Sequence, residues 1–437
     1  MEKKIRSIRS VAGTLNIPSD KSITHRAIML GSIANGDVTV YNPLIAEDTM
    51  STINAMKALG VDIEVYSDRL LIHGVGMKGL NPSAKLGTDA LTKIDVGNSG
   101  TTIRLLSGIL SGFDFNTELF GDESLNRRPM ARITVPLTEL GANIGSLNDD
   151  DRAPLIISKG KLIGGDIRIY IASAQVKSCL MFAGLYSNSK VTITEPHKSR
   201  DHSERMLEYL GALIMTSGNA VTVFPCDHLE ARDLTVPADI SSASYMMAAA
   251  AISDSGSITL PKVNINETRD GILRVLKRMN CDIRLENESE INLEPIADIT
   301  ISSSELTGTT ITEEEIPTLI DELPIIAVLG AYATGKTTVR HAKELRHKES
   351  DRIKLIVNNL KNMGADITEF DDGFEINGHG KHSLSASIID TARDHRIAMA
   401  FSIASLFAEG ESIIKDSECV NISYPDFYSD LEQICIK

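Results

Sequence analysis

The chain of 437 residues has no tryptophan, few other aromatic side chains and no excess of positive charge. Its 44 lysine and arginine residues are outnumbered by 59 aspartate and glutamate residues, which gives a formal net charge of -15. Nucleic acids and anionic membrane surfaces repel a chain this acidic, so we expect neither as a partner. Its cations must act locally, and small anions are the expected ligands.

Cysteine is also scarce, and none of the five thiols belongs to a CxxC pair or has a histidine at zinc-ligand spacing. This pattern predicts free thiols in a reducing compartment and no metal site. No run approaches the roughly 20 apolar residues that a transmembrane helix needs, and residues 1–4 lead into no signal region. We therefore expect a cytoplasmic protein, long enough for two or three domains.

A sixfold repeat organises what is present. In each repeat an apolar, helix-like stretch ends at a small polar turn, and a run of strand composition follows. The turns recur at intervals of 67 to 79 residues, which is too regular for unrelated loops. They are Asn35-Gly36, Ser111-Gly112, Asn188-Ser189, Ser255-Gly256, Thr334-Gly335 and Glu409-Gly410.

A second helix follows in most repeats and ends in a shared pattern, first seen as LGVDI at residues 59–63, where glycine suits a helix C-cap. Six such units could close into one ring or divide into two sets of three. The polar stretch 230–237 lies in the shortest interval and favours a crossover between two α/β (α+β) domains. We predict an N-terminal domain over 20–237 and a C-terminal domain over 1–19 plus 238–437. The strand-like segment 11–17 would complete a C-terminal sheet.

The octet SDKSITHR at residues 19–26 is the most informative motif. It places two cations and three hydroxyl groups before an apolar run, where the N-terminus of a helix would bind an anion. Taken alone, the octet fits a solvated N-cap equally well. The repeat favours an anion site, because all six first helices open on polar motifs. These lie at Lys21, Gly100, Gln175, Ser241, Asp321 and His395.

The second helices also open on polar clusters, and we expect many helix N-termini to converge on one cleft. Pro129 is predicted in the first turn of one such helix. Lys348 and Arg352 are predicted one turn apart on one helical face, with Glu349 adjacent, although a salt-bridged surface is the alternative. Asp321 precedes an apolar helix, where a carboxylate suits base chemistry but more often serves as a cap.

One motif points to a different class of protein. The segment GAYATGKT at residues 330–337 fits the phosphate-binding loop of nucleotide hydrolases. That loop needs a strand before it and a helix after it. The repeat instead predicts a helix over 323–332 and a strand over 337–339, so a nucleotide-binding protein is only the alternative.

Several motifs together resemble the 5-enolpyruvylshikimate-3-phosphate synthases, in family order and over essentially the whole chain. They are the octet, GNSGT at 97–101, RRPM at 127–130, SAQVKS at 173–178, KESDR at 348–352 and DHR at 394–396. No cysteine lies near Arg128, where the related UDP-N-acetylglucosamine enolpyruvyl transferases carry a functional one. The resemblance implies a monomer with two inside-out α/β barrel domains of three inverted βαβαββ repeats each, and an active site in the cleft between them.

The implied reaction transfers the enolpyruvyl group of phosphoenolpyruvate to the 5-hydroxyl of shikimate 3-phosphate and releases phosphate through a tetrahedral intermediate. Neither a cofactor nor a metal is implied. Another enolpyruvyl transferase of the same fold is the alternative enzyme. Glyphosate is an expected inhibitor, competitive with phosphoenolpyruvate, because the family's sensitivity is associated with glycine at the position of Gly100.

The same resemblance implies the site residues. Shikimate 3-phosphate would be bound by Lys21, Ser22, Arg26, Ser173, Gln175, Ser199, Asp321 and Lys348. Phosphoenolpyruvate would be bound by Lys21, Gly100, Arg128, Gln175, Arg352, His395 and Arg396. The catalytic candidates are Asp321 as acceptor of the 5-hydroxyl proton, Glu349 as proton donor and acceptor at C3 of the enol, Lys21 and His395. Two departures from the family pattern are Ala174, in place of a second serine, and Ile422, in place of a lysine.

Overall fold

The computed structural model describes residues 1–82 and 91–436 and divides into two compact units. The N-terminal unit comprises Ser19–Val236 with Ile291–Glu294. The C-terminal unit comprises Met1–Pro18, Pro237–Glu290 and Pro295–Lys437. Over their described residues, each unit buries its apolar side chains in a core of its own.

Short strands and helices alternate along the chain. In chain order, the strands are β1 Lys3–Arg6, β2 Ser10–Val11, β3 Gly13–Thr14, β4 Asn35–Tyr41, β5 Asp62–Val65, β6 Arg69–Val75, β7 Thr92–Asp95, β8 Thr117–Phe120, β9 Asn143–Ser146, β10 Leu155–Ser158, β11 Gly165–Arg168, β12 Val191–Thr194, β13 Ile214–Ser217, β14 Ala220–Val223, β15 Leu234–Thr235, β16 Ser257–Asn264, β17 Asp282–Ile291, β18 Glu294–Ser302, β19 Thr310–Ile311, β20 Thr334–Val339, β21 Asp366–Phe370, β22 Gly373–His379, β23 Ile388–Ile389, β24 Glu411–Ile414 and β25 Cys435–Ile436. The helices are α1 Lys21–Ser32, α2 Glu47–Ala58, α3 Gly100–Leu110, α4 Glu123–Asn126, α5 Ala131–Glu139, α6 Ala174–Gly184, α7 His202–Tyr209, α8 Ile240–Ile252, α9 Gly271–Arg278, α10 Ile316–Leu319, α11 Leu323–Tyr332, α12 Arg352–Asn362, α13 His395–Phe407 and α14 Phe427–Ile434.

The N-terminal unit contains three four-stranded sheets with one topology. Their strand orders are β15-β4-β6-β5, β7-β8-β10-β9 and β11-β12-β14-β13. In each sheet the first two strands are parallel and the other neighbours are antiparallel. The predicted order of helix, turn and strand is confirmed, and the fold is a mixed α/β fold as expected.

Over its described residues, the C-terminal unit has two four-stranded sheets, β17-β18-β16-β3 and β19-β20-β22-β21, a three-stranded sheet, β1-β24-β23, and a two-stranded sheet, β2-β25. Strand β3 lies within the predicted segment 11–17 and pairs with β16 in parallel, so that segment does complete a sheet of this unit. Two other strands at the start of the chain also pair within the C-terminal unit, which was not predicted from the sequence. Strand β1 pairs with β24 and β2 pairs with β25, both antiparallel.

The first helix of each repeat is buried on nearly every side. Every residue of α8 and α11 is buried, and so is most of α1, α3, α6 and α13. Helices that are apolar all round pack inside a core rather than on a surface. The sequence motifs lie at the first turns of these helices, where the backbone N–H groups have no partner within the helix.

The shared pattern at the ends of the second helices is a set of helix C-caps. Gly60, Gly141, Gly211 and Gly364 have φ angles between 88° and 94°, and Asn280 has φ 66°. A left-handed residue at this position lets the backbone leave the helix and enter the following strand. The C-cap prediction is confirmed in all five repeats.

Two local predictions are wrong. Pro129 does not lie in the first turn of a helix, because it pairs with Arg152 in an isolated bridge and α5 begins only at Ala131. Lys348 and Arg352 do not share a helical face, because a 3₁₀ turn over Lys343–His347 ends at Lys348 and α12 begins at Arg352.

The segment that fits a phosphate-binding loop has the opposite order of elements. Gly330 and Tyr332 belong to the end of α11, and Gly335 and Lys336 belong to β20. Lys336 Nζ lies 2.9 Å from Glu375 Oε1 on the neighbouring strand. A helix followed by a strand cannot present the loop amides as a nucleotide site requires. The secondary structure predicted for this segment is confirmed.

Within residues 1–82 and 91–436, no helix has the length and apolarity needed to cross a membrane. The same residues contain no group of three or more His, Cys, Asp or Glu side chains arranged to hold a metal ion. The five cysteines are free thiols.

Candidate functional site

The predicted residues form two groups, one in each unit. The N-terminal group consists of Lys21, Ser22, Arg26, Gly100, Arg128, Ser173, Gln175 and Ser199. The C-terminal group consists of Asp321, Lys348, Glu349, Arg352, His395 and Arg396. Most members lie at or just before the first turn of a helix. There, unpaired N–H groups and about half a positive charge are available to an anion.

Side-chain caps fix the three helix starts of the N-terminal group. Asp20 accepts a hydrogen bond of 2.8 Å from the Ile23 amide at the start of α1. Ser99 accepts one of 3.1 Å from Thr102 at the start of α3, and Ser173 accepts one of 3.5 Å at the start of α6. These caps hold Lys21, Gly100 and Gln175 at defined positions on their helices.

Lys21 is paired with a carboxylate from the next helix. Its Nζ lies 2.8 Å from Oδ2 of Asp48 on α2, and both side chains are mostly buried. Burial alone would raise the pKa of Asp48, but Lys21 and His25 outweigh burial and hold that pKa well below its usual value. Asp48 is therefore a carboxylate at neutral pH that orients the Lys21 ammonium group.

Arg26 is a buried cation with neutral partners. It donates to the hydroxyls of Ser203 and Ser178, each over 2.7 Å, and to the carbonyl of Ser22 over 2.9 Å. Burial lowers the pKa of Arg26 to about 10, so the guanidinium keeps its charge at neutral pH. Among the described residues, no carboxylate pairs with the Arg26 guanidinium. A hydrogen-bonded cation of this kind is suited to attract an anionic ligand.

Gly100 and Arg128 are brought together. A Cβ atom on Gly100 would lie 3.0 Å from Arg128 Nη1, so the glycine permits the guanidinium to approach the start of α3. Arg128 Nη2 donates to Asn98 Oδ1 over 2.5 Å, which fixes its direction. Asn98 was quoted in the GNSGT motif but was not among the predicted ligands.

Gln175 is oriented by side chains of α3. Its Nε2 donates to Thr101 Oγ1 over 2.9 Å, and its Oε1 accepts a hydrogen bond from Arg104. Both partners lie in or beside the sequence motif that contains Gly100, but no single motif shows that they reach α6. The structure thus joins two predicted helix starts through residues that sequence reasoning missed.

Ser199 is engaged in a buried ionic cluster. Its hydroxyl donates to Glu195, and its carbonyl accepts from Lys177 over 3.1 Å. Lys177 Nζ also lies 2.8 Å from Glu195 and 2.7 Å from Glu204. Lys177 stands inside the SAQVKS motif, but it was not among the predicted ligands, and its pairing with Glu195 and Glu204 was not predicted.

Asp321 is the centre of the C-terminal group. Its carboxylate oxygens lie 3.3 Å from Lys348 Nζ, 3.5 Å from Arg352 Nη1 and 3.8 Å from Arg396 Nη2. The three cations come from the loop before α12, from α12 and from α13. Asp321 itself stands two residues before α11, and Glu322 occupies the cap position. The structure therefore gathers four predicted residues that are separated by up to 75 positions.

Arg352 is held by carboxylates on two sides. Its Nε lies 2.8 Å from Asp394 Oδ2, and its Nη2 donates to Glu349. Burial would lower the pKa of Arg352, but Asp394 and Glu349 outweigh it and raise that pKa above its usual value. Burial would also lower the pKa of Arg396, but nearby groups, Asp321 first among them, outweigh burial and raise that pKa. Both arginines are permanent cations.

The start of α13 is set by Asp394, which accepts a hydrogen bond of 3.0 Å from the Arg396 amide. Asp394 also accepts one of 2.8 Å from the Ser350 hydroxyl. It thereby ties the segment before α12 to the start of α13. His395, the first residue of α13, is buried, with 1% of its surface exposed. Asp394 is the main residue that the predicted ligand sets omitted, although it stands inside the DHR motif.

A family model and several similar proteins point to one family. A family model described as EPSP synthase (3-phosphoshikimate 1-carboxyvinyltransferase) matches residues 5–431. A protein from Endomicrobium trichonymphae named 3-phosphoshikimate 1-carboxyvinyltransferase is 46% identical over 436 residues, which cover all of both chains. A protein of the same name from Thermoanaerobacter sp. (strain X514) is 47% identical over 434 residues, covering 99% of this chain and all of the relative.

A solved structure of EPSP synthase from Acinetobacter baumannii has the same fold. It superposes with a TM-score of 0.88 at 39% sequence identity. The match covers all of this chain and 98% of that structure. The sequence and the fold therefore point to the same family over the full length compared.

Proposed function

The chain belongs to the EPSP synthase family, and on this premise we propose that it transfers the enolpyruvyl group of phosphoenolpyruvate to the 5-hydroxyl of shikimate 3-phosphate, with release of phosphate. The observation that carries the proposal is the single carboxylate of Asp321 with Lys348, Arg352 and Arg396 around it. The Asp321 carboxylate can accept the proton of a hydroxyl, and the cations beside it can hold the anionic groups of the substrates and stabilise negative charge that develops on the oxygen.

The two substrates together carry two phosphates and two carboxylates, which explains why an acidic protein concentrates cations at helix starts. We assign shikimate 3-phosphate to Lys21, Ser22, Arg26, Ser173, Gln175, Ser199, Asp321 and Lys348. We assign phosphoenolpyruvate to Lys21, Gly100, Arg128, Gln175, Arg352, His395 and Arg396. Support comes from the buried charge of Arg26 and from the contact geometry of Gly100 and Arg128.

Because the Ser199 hydroxyl donates to Glu195, this serine would have to redirect its proton to bind a phosphate oxygen.

The first chemical step is an addition. The 5-hydroxyl oxygen bonds to C2 of phosphoenolpyruvate while its proton passes to Asp321, and C3 takes a proton from Glu349. Glu349 is held by Arg352, which is itself assigned to phosphoenolpyruvate, so the acid would lie beside its substrate. The product of this step is a tetrahedral intermediate with a methyl group at C3.

The second step is an elimination. Glu349 removes a proton from C3, the bond between C2 and the phosphate oxygen breaks, and an enol ether forms. Lys21 protonates the leaving phosphate or the bridging oxygen, and Asp48 holds its ammonium group in place. We place His395 with the catalytic residues because it opens α13 beside Arg396.

We further propose that the residue groups of both units serve this one reaction, and that the protein has domains over 20–237 and over 1–19 plus 238–437. The proposed state is a cytoplasmic monomer without metal or cofactor. We also propose glyphosate as an inhibitor that competes with phosphoenolpyruvate. Gly100 supports this proposal, because a side chain at this position would press on Arg128.

The test is an assay for phosphate release by the purified protein, with shikimate 3-phosphate and phosphoenolpyruvate and without metal or nucleotide. We expect release only when both substrates are present. Each substrate alone is the control for phosphatase activity. Absence of release by folded protein, or release from phosphoenolpyruvate alone, would overturn the proposal.

A further inference from the structure

Three helices of the N-terminal unit are joined by a row of polar side chains, and its central histidine, His25, has no part in the proposed mechanism. His25 of α1 lies between Asp48 and Thr52 of α2: its Nε2 is 3.6 Å from Asp48 Oδ2, and its Nδ1 is 2.6 Å from Thr52 Oγ1. Thr52 Oγ1 is 2.7 Å from Thr102 Oγ1 on α3, and Thr102 donates to Ser99 Oγ over 2.6 Å. This chain is called the His25 relay.

Each end of the relay meets a proposed phosphoenolpyruvate ligand. At one end, Asp48 holds the Lys21 ammonium group at 2.8 Å. At the other end, Ser99 caps α3 and so fixes the amide of Gly100. His25, Thr52 and Thr102 are fully buried, so water does not compete for their hydrogen bonds.

Proton counting gives the relay a direction. Each threonine hydroxyl has one proton to donate. Thr102 donates its proton to Ser99, so Thr52 must donate to Thr102, and Thr52 must then accept from His25. The Nδ1 atom of His25 therefore donates to Thr52, and its Nε2 atom lies against Asp48 Oδ2 at 3.6 Å, which is beyond hydrogen-bond distance.

We propose that His25 is a positioning residue that fixes the Lys21 ammonium group and the N-terminus of α3 at the spacing needed for one phosphoenolpyruvate molecule. It acts through Asp48 on one side and through Thr52 and Thr102 on the other. The inference rests on the proposed function, because phosphoenolpyruvate is the ligand that Lys21 and Gly100 share. Loss of the relay would leave the core packed but would let the two anion-binding elements shift apart. A displacement of about 1 Å can cost on the order of 100-fold in rate.

The test interrupts the relay at its middle. Thr52→Val keeps the shape of the side chain and removes the hydroxyl, whereas Thr52→Ser keeps the hydroxyl. For Thr52→Val we expect the KM for phosphoenolpyruvate, which both Lys21 and Gly100 bind, to rise roughly tenfold and kcat to fall. The KM for shikimate 3-phosphate, which is assigned to Lys21 but not to Gly100, should rise by clearly less. Thr52→Ser should restore most of both losses.

A matched control removes a buried hydroxyl that lies outside the relay. Ser107→Ala on α3 deletes a hydroxyl that donates to the carbonyl of Ile103 over 2.7 Å and has no other hydrogen bond within residues 1–82 and 91–436. We expect its kinetic constants to stay near those of the unaltered protein. If Thr52→Val does not fold, His25→Gln takes its place. Glutamine puts an amide near the position of His25 Nε2 and removes the Nδ1 donor to Thr52.

A double-mutant cycle separates positioning from a structural role. In a Lys21→Ala background, Thr52→Val should cost less in kcat/KM than it costs alone, because one of the two groups that the relay positions is gone. Equal losses in both backgrounds, or equal increases in KM for both substrates, would overturn the proposal. These outcomes differ from failure of the proposed function, in which the unaltered protein would show no turnover.

Discussion

Arg352 Nε lies 2.8 Å from Asp394 Oδ2, and both side chains are almost completely buried. Removing Asp394 leaves the Nε of a buried guanidinium without its carboxylate, because Glu349 and Asp321 contact the other two nitrogens. We therefore expect Asp394→Ala to lower the free energy of unfolding of the C-terminal unit by about 3 to 5 kcal/mol, as followed by urea unfolding. Loss of the α13 cap adds to this effect.

Another ion pair of the same length provides the control. Lys3 and Glu432 are also 2.8 Å apart, but both are exposed. Glu432→Ala should cost no more than about 1 kcal/mol. Similar losses for Asp394→Ala and Glu432→Ala would contradict the role given to burial.

Lys21→Ala should lower the rate of turnover at least about 100-fold, because the variant loses a preorganised donor at the leaving phosphate. The measurement is kcat with both substrates saturating, on protein shown to be folded by circular dichroism. Lys57→Ala, at the exposed far end of α2, is the control and should leave kcat unchanged. Near-normal turnover of a folded Lys21→Ala protein would remove Lys21 from the mechanism.

Gly100→Ala should weaken inhibition by glyphosate. The added methyl carbon would lie 3.0 Å from Arg128 Nη1, so the guanidinium must move by a few tenths of an ångström. We expect the inhibition constant to rise roughly tenfold or more, since each ~1.4 kcal/mol of lost binding is a factor of ten. In Gly145→Ala the methyl group meets nothing within 4 Å, so this control should keep the original inhibition constant. Equal inhibition of all three proteins would refute the assignment.

The stability contributed by Asp48 should depend on pH. Its pKa in the folded protein is well below the ordinary value, because Lys21 and His25 outweigh burial. The contribution is therefore present above the unfolded pKa of about 3.9 and is lost as the pH falls toward the folded pKa. The difference in free energy of unfolding between the unaltered protein and Asp48→Asn should thus be constant at neutral pH and shrink below about pH 4. A difference that grows on acidification would contradict this.

The sequence was sufficient for features that depend on local pattern. Hydrophobic periodicity and the small polar turns predicted the order of helices and strands, and this order also excluded a phosphate-binding loop at Gly330 and Lys336. The C-cap at Gly60 followed from the same local logic, because only a few residues accept a left-handed conformation.

Most features that depend on contacts between distant segments could not be predicted, although the repeat did indicate that segment 11–17, which contains β3, completes a C-terminal sheet. The pairing of β1 with β24 joins residues more than 400 positions apart. Asp394 reaches Arg352 across 42 positions, and His25 reaches Thr52 across 27, through side-chain geometry that no single motif encodes. The prediction for Lys348 was wrong for a related reason. Its spacing to Arg352 suggested one continuous helix, but a 3₁₀ turn ends at Lys348 instead. The site assignments themselves stay predictions until the substitutions are measured.

The most direct test of the central claim uses phosphoenolpyruvate labelled with ¹⁸O in the oxygen that bridges C2 and phosphorus. Enolpyruvyl transfer breaks the bond between carbon and this oxygen, so the label is predicted in the released phosphate when shikimate 3-phosphate is present. Mass spectrometry of the phosphate and of the organic product gives the answer. Label recovered in pyruvate or in an organic product would show that the bond between phosphorus and oxygen breaks, and would contradict enolpyruvyl transfer.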